Sequence, residues 1–315
     1  MSAIVRYWDP EMPSLGPAVT CIGVFDGVHV GHQALIRATV SAAELAGARP
    51  VAVTFDRDPD QVLTPESAAP QLLPVDDKLA FIADLGARTV LVVPFDEYVS
   101  RMTPERFLAR VVLASMEPLT VMVGEDFRFG HRARGDLQTL RLFGQSHRFE
   151  VVGHELVRVG GEPVTSTRIR NLVAEGDVSQ ARRLLGRPHR VRGVVEHGRG
   201  DGSSRLGTPT ANLRPVEHAA LPAEGVYAGR VRLEDRTYAA GISVGHPPTF
   251  PDSRHVLEAA LVGFSGGLYG RTLTLEFLER LRDLHAFEAE ADLADALRDD
   301  LERAGEVAEE GEGPD

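Results

Sequence analysis

Two histidines, His29 and His32, stand three residues apart in the stretch CIGVFDGVHVGHQ, residues 21–33, where an apolar run meets a glycine-flanked turn. Imidazoles at i and i+3 on the first turn of a helix share a face, so both can donate hydrogen bonds to one anion. Gly27 and Gly31 let the chain turn sharply out of a buried strand. The helix that follows then aims its partially positive N-terminus at whatever binds there. The chemistry this suits is phosphate binding, with stabilisation of charge that builds on a phosphate oxygen. The competing reading is a pair of capping or packing histidines, the commoner meaning of an isolated His-x-x-His. The strand–glycine–helix setting favours the anion.

The surrounding pattern supplies elements to position such a site. From residue 19 to about 154, β-rich runs (VTCIGVF, VAVTF, TVLVV, TVMVG, FEVVGH) alternate with helical patterns at Gln33 to Ala46, Val75 to Leu85, Pro104 to Leu113 and Leu137 to Phe143. This alternation predicts an α/β domain, a doubly wound parallel sheet whose ligand site lies at the carboxyl ends of its strands. Two short helices follow, Thr167 to Ala174 and Val178 to Leu185, with Asp177 capping the second. From Val191 to Phe277 short strands broken by Gly and Pro predict a small antiparallel β-barrel. Leucines at 293, 297 and 301 mark a C-terminal helix from Ala289 to Arg303.

The chain has 315 residues and a net charge of −12, enough length for two domains and an acidic balance that disfavours nucleic-acid or membrane-surface binding. The last fourteen residues hold six acids against one arginine and read as a solvated tail. Cys21 is the sole cysteine and Lys78 the sole lysine. No internal disulfide can form. With no signal-like N-terminus and no apolar run of membrane-spanning length, the expected location is the cytoplasm.

GVFDGVHVGH resembles the nucleotidyltransferase signature of the bacterial bifunctional riboflavin kinase/FAD synthetase family, and the likeness continues along the chain. VGEDFRFGHRARGD at 123–136 is similar to that family's flavin- and nucleotide-binding loop, and TSTRIR at 165–170 to its phosphate-binding turn. GRPHRVRGVV at 186–195, LGTPTANL at 206–213, LPAEGVYAG at 221–229, SVGHPPTF at 243–250, LYG at 268–270 and LRDLHAF at 281–287 resemble the kinase series in order. The resemblance implies an FMN adenylyltransferase domain over 1–187, a riboflavin kinase domain over 188–303 and an acidic tail over 304–315. It also implies ATP as co-substrate, Mg2+ as cofactor, and riboflavin, FMN and FAD as small-molecule ligands.

Carried over residue by residue, the resemblance implies that His29 and His32 bind the triphosphate and stabilise the transition state, within a signature that includes Gly23, Phe25 and Gly31. Ser166, Thr167 and Arg170 then hold ATP phosphates, Asp126 and Phe129 position nucleotide or flavin, and Asp26 orients the turn. In the kinase half Glu258 is the implied base. Thr210 and Asn212 are implied Mg2+ ligands, and Gly207 and Arg205 belong to a glycine-rich flap over the phosphates. Arg282 contacts flavin or a closing loop, or else pairs with Asp283 or Glu279.

The sequence departs from the family in two places. Where the family has Thr-Phe-Asp-Pro-His-Pro, this chain has Asp56-Arg57-Asp58-Pro59 after Thr54-Phe55, with Asp58 in place of the histidine. A carboxylate about 4 Å from a phosphate costs up to about 4 kcal/mol at an effective dielectric near 20. The expectation is a weakened adenylyl transfer, with Arg57 as compensating charge, and a kinase-only enzyme as the alternative; a non-catalytic flavin or nucleotide binder is a third reading. After Glu258, Ala260 and Gly263 replace a family histidine and aspartate.

Overall fold

The computed structural model describes residues 3–196, 210–216, 218–233, 236–245, 257–287 and 289–310. By contacts it divides into two compact units, Met1–Ala69 with Val75–Thr165, and Pro70–Pro74 with Ser166–Asp315.

The first unit is built on six parallel strands: β1 (Ile4–Tyr7), β2 (Pro17–Ile22), β3 (Arg49–Phe55), β4 (Thr89–Val93), β5 (Glu117–Gly124) and β6 (Glu150–His154). Their order is β1-β4-β3-β2-β5-β6. The β2, β3 and β4 runs PAVTCI, RPVAVTF and TVLVV are almost wholly buried, as strands covered on both faces must be. The chain moves outward from β2 through β3 and β4, then returns to the other side of β2 with β5. Such a reversal, beyond the carboxyl ends of β2 and β5, is the usual ligand position in sheets of this kind.

Helices α1 (Val30–Leu45), α2 (Pro59–Leu63), α3 (Val75–Asp84), α4 (Glu97–Ser100), α5 (Pro104–Phe107) and α6 (Leu137–His147) connect the strands. α5 runs into a π-helical segment, Leu108–Leu113, that buries Leu108, Val111 and Val112. The expected strand 19–25 is shorter than its apolar run, because Phe25 leaves extended geometry at φ 57°. β1, with all four residues exposed at the sheet edge, carries no pattern that sequence reasoning could use.

The second unit opens with β7 and β8 excluded, since that small hairpin (Arg158–Val159 and Glu162–Pro163) closes the first. It begins at α7 (Ser166–Ala174) and α8 (Val178–Leu185), followed by β9 (His189–Glu196), β10 (Thr210–Pro215), β11 (Gly225–Leu233), β12 (Arg236–Val244), β13 (Leu257–Leu261) and β14 (Thr272–Arg282). These six strands form a closed antiparallel barrel in the order β10-β13-β12-β11-β14-β9. Val191, Leu213, Val231, Ile242, Leu257 and Phe277 fill its interior. Closure removes exposed strand edges from a small sheet.

Two boundaries differ from expectation. Compact packing breaks at Thr165/Ser166 rather than near residue 187, because Val178 of α8 joins the barrel core and α8 packs on β9 and β14. The C-terminal helix α9 runs over Glu290–Glu310. Ala304, Val307 and Ala308 continue its buried stripe against Ala228 and Leu278, so a solvated tail beginning at 304 is incorrect up to residue 310.

Candidate functional site

In the first unit the turn between β2 and α1 holds an unusual backbone. Phe25 and Val28 have φ of 57° and 38°, left-handed values that disfavour a side chain and most of all a β-branched one. Such strain costs on the order of 1–3 kcal/mol per residue and concentrates at functional sites. Packing enforces it: Phe25 and Val28 are each 1% exposed, and the Phe25 ring lies over Gly23, where a Cβ would come within 2.7 Å of it. Gly23 is therefore a packing requirement of this turn. Gln33 Nε2 donates to Val28 O at 2.9 Å and closes the turn from the helix side.

His29 is the N-cap of α1, its Nδ1 accepting from His32 N–H at 3.3 Å. Accepting there fixes Nδ1 as the unprotonated nitrogen, so neutral His29 carries its proton on Nε2 and presents it as a donor. The two imidazoles stack with centroids 3.5 Å apart and planes 17° from parallel, while Phe25 meets His32 edge-on at 5.3 Å. The capping and packing reading of the pair is realised: one nitrogen of His29 caps the helix, and the rings are clamped together at its N-terminus. Gly31 leaves room for this, since a Cβ would stand 3.1 Å from the His29 ring.

Asp58 is buried at 4% exposure and is the N-cap of α2 in a capping box, with its own N–H donating to Gln61 Oε1 at 2.9 Å. The expected compensating charge, Arg57, is exposed and pairs with Asp56 at 3.1 Å. The buried cation nearby is Lys78 of α3, 2% exposed, whose Nζ donates to Val24 O at 3.1 Å and Phe55 O at 2.9 Å. Burial lowers its pKa, and the charges of Asp58, Asp26 and Asp56 act against that shift. Sequence reasoning passed over Lys78; its singularity in an arginine-rich chain was the available signal.

At the carboxyl end of β5, Asp126 is exposed and folds back toward Gly124. Phe129 is a core residue, 7% exposed, packed on Gly135 and bonded to it through both backbone groups. Half-buried Phe127 stacks on it at 5.2 Å and is the aromatic face that sequence reasoning missed.

In the second unit, Ser166 is half-buried and Thr167 exposed on the first turn of α7, while Arg170 Nε donates to Pro70 O at 2.8 Å. On the barrel, Glu258 of β13 stands directly across from Asn212 of β10 and from Ser243 of β12. Ala211, Leu213, Leu257 and Ala259 point into the core. Strand alternation therefore puts Glu258, Asn212 and Thr210 together on the outer face. Ser243 shares that row and was not singled out from sequence. Thr210 lies opposite Ala260, so the missing histidine leaves the middle of this face small.

Arg282 does form an ion pair, but with Asp300 of α9: its Nε and a terminal nitrogen reach the two carboxylate oxygens at 3.1 and 2.7 Å. Glu279 pairs instead with Arg303, and Asp283 with Arg280. Gly207 and Arg205 lie outside the described residues. Among the described residues no group of three or more His, Cys, Asp or Glu could hold a metal ion. The donors of the Thr210–Asn212–Glu258 row are all oxygens, which suits a hard cation that shares its coordination with phosphate.

Comparison with known proteins covers both units. Residues 12–168 match the FAD synthetase family model and residues 185–308 the riboflavin kinase model. The bifunctional riboflavin kinase/FMN adenylyltransferase of Pseudomonas fluorescens is 34% identical, with 97% of each chain covered. That of Escherichia coli K12 is 30% identical over 92% of this chain and 93% of the relative. A crystal structure described as a macrolide-efflux protein from Streptococcus pneumoniae aligns at a TM-score of 0.85 and 29% identity, covering 96% of this chain and 98% of that one. Among the described residues no helix is long and apolar enough to cross a membrane. The kinase-only alternative finds no support, since the matches span both halves. With strand-end histidines in one unit, the Glu258 row in the other and matches along nearly its whole length, the chain belongs to the bifunctional riboflavin kinase/FMN adenylyltransferase family.

Proposed function

We propose that the chain converts riboflavin to FMN on its barrel unit and FMN to FAD at the carboxyl edge of its parallel sheet, using one ATP at each step in a cytoplasmic setting. In the first step the ribityl hydroxyl attacks the γ-phosphorus of ATP and ADP leaves. That hydroxyl is neutral and must lose its proton, which Glu258 accepts. Asn212 and Thr210, in line with Glu258, orient the triphosphate and supply oxygen ligands to Mg2+, which when bound screens phosphate charge. In this reading Gly207 and Arg205 bind ATP phosphates. Arg282, tied to Asp300 of α9, contacts flavin or a closing loop in this reading.

In the second step the FMN phosphate attacks the α-phosphorus of ATP and pyrophosphate leaves. The nucleophile is already anionic, so alignment and charge stabilisation suffice. His29 donates from Nε2 and His32 lies stacked beside it at the helix N-terminus, where the developing phosphate charge is stabilised. Ser166, Thr167 and Arg170 hold phosphate oxygens, and Asp126 with Phe127 contacts nucleotide or flavin; Phe129 shapes that loop from the core.

The observation that carries this reading is the register that sets Glu258 opposite Asn212, which gives the barrel a base and metal-compatible oxygens on one face. Purified Glu258→Gln should lose riboflavin phosphorylation by about 100-fold or more, as removal of a general base does, while still making FAD from supplied FMN. Undiminished FMN formation would remove Glu258 from the mechanism.

A further inference from the structure

Lys78 is a buried ammonium that no step above uses. It lies on α3, which packs against the Asp26–Val28 turn. Its two acceptors are the carbonyls of Val24 and Phe55, at the carboxyl ends of the two central strands that flank the candidate adenylyl site. Val24 O also accepts from Thr54 Oγ1 at 3.0 Å, so this carbonyl is gripped from two sides immediately before the strained Phe25. Three carboxylates feel the ammonium: Asp58 most strongly, then Asp26 and Asp56. Asp26 and Asp58 are each 4% exposed, and a buried carboxylate is costly unless a cation is close. Asp56 has further partners in Arg57 and in Phe95 N–H at 2.7 Å.

We propose that Lys78 is a positioning residue for adenylyl transfer: its ammonium fixes the strand ends that carry the His29–His32 turn, and it neutralises Asp58 so that ATP phosphates approach without meeting an uncompensated carboxylate. This rests on the function proposed for the first unit. It also accounts for the chain's departure from the family pattern at Asp58. A cation already present in the fold balances the added negative charge, and the substituted side chain serves as a helix cap.

Four proteins test it: the wild type, Lys78→Met, Asp58→Asn and the double variant, each assayed for FAD formation from FMN and for FMN formation from riboflavin. Lys78→Met should raise the KM for ATP in the adenylyl step by about tenfold or more and leave the kinase step unchanged. In the double variant, with the unbalanced carboxylate gone, the KM should recover by about threefold or more. A tie that is only structural predicts no recovery, and that result overturns the proposal, as does an unchanged KM in Lys78→Met. Should Lys78→Met not fold, Asp58→Asn alone decides: the surplus ammonium should lower the KM for ATP, and an unchanged or higher KM refutes the charge balance. Absence of FAD from the wild type would instead refute the underlying assignment, with the kinase step showing that the protein is intact.

Discussion

At the scale of single residues, the cap that His29 supplies and the phosphate role proposed for it can be separated by a substitution. The Nδ1 of His29 caps α1 and its Nε2 faces away from that bond. Asparagine is a good N-cap whose amide is too short to carry a donor where Nε2 stands, so His29→Asn should retain stability to within about 0.5 kcal/mol and still lose adenylyl transfer by about 100-fold or more. Thermal unfolding and FAD formation, measured on the same preparation, check both halves. The pair was legible from spacing and glycines alone. Lys78 was not, because VDDKLAFIAD reads as an amphipathic surface helix and periodicity does not say that the lysine's own face is the buried one. Phe129 lies where a phenylalanine most often does, in the core, buried by Phe107 and Gly135, which other segments bring to it.

At the scale of elements, His189 at the start of β9 shows how the barrel depends on pH. It is 1% exposed, its Nε2 lies 2.8 Å from Ala220 O, and its Nδ1 has no hydrogen-bond partner among the described residues. Burial pushes its pKa down from 6.5 to about 4. The folded state therefore binds fewer protons than the unfolded state between these values. The stability this group contributes is complete above pH 6.5 and declines as pH falls toward 4, by about 3 kcal/mol in all. Denaturant titrations across that window should show the decline, and His189→Gln, which can still donate to Ala220 O, should flatten it. The strands and helices themselves were largely legible: TVLVV at 89–93 and the Asp177-capped helix are where pattern and capping put them. Element ends were not. The stripe through Ala304, Val307 and Ala308 was obscured by the acids around it, which lie on the other side of the same helix.

At the scale of the whole molecule, two chemistries are carried by two differently built units, and each suits its scaffold. A parallel sheet gathers strand-end turns at one edge through its reversal of strand order. A closed antiparallel barrel places residues of neighbouring strands in register on one face. The α/β-then-barrel sequence of patterns was legible because alternation of strands with helices gives way to strands alone. The division at Thr165/Ser166 was not, because α7 and α8 resemble the helices before them and only the packing of α8 on the barrel, with α7 against α8, assigns them.

The most direct test supplies the protein with riboflavin, ATP and Mg2+ and resolves FMN from FAD by chromatography, for the wild type and for the variant with alanine at both His29 and His32. The wild type should accumulate FAD, and the double variant should stop at FMN, with riboflavin consumed at an undiminished rate. FAD output that survives loss of both imidazoles would contradict the account.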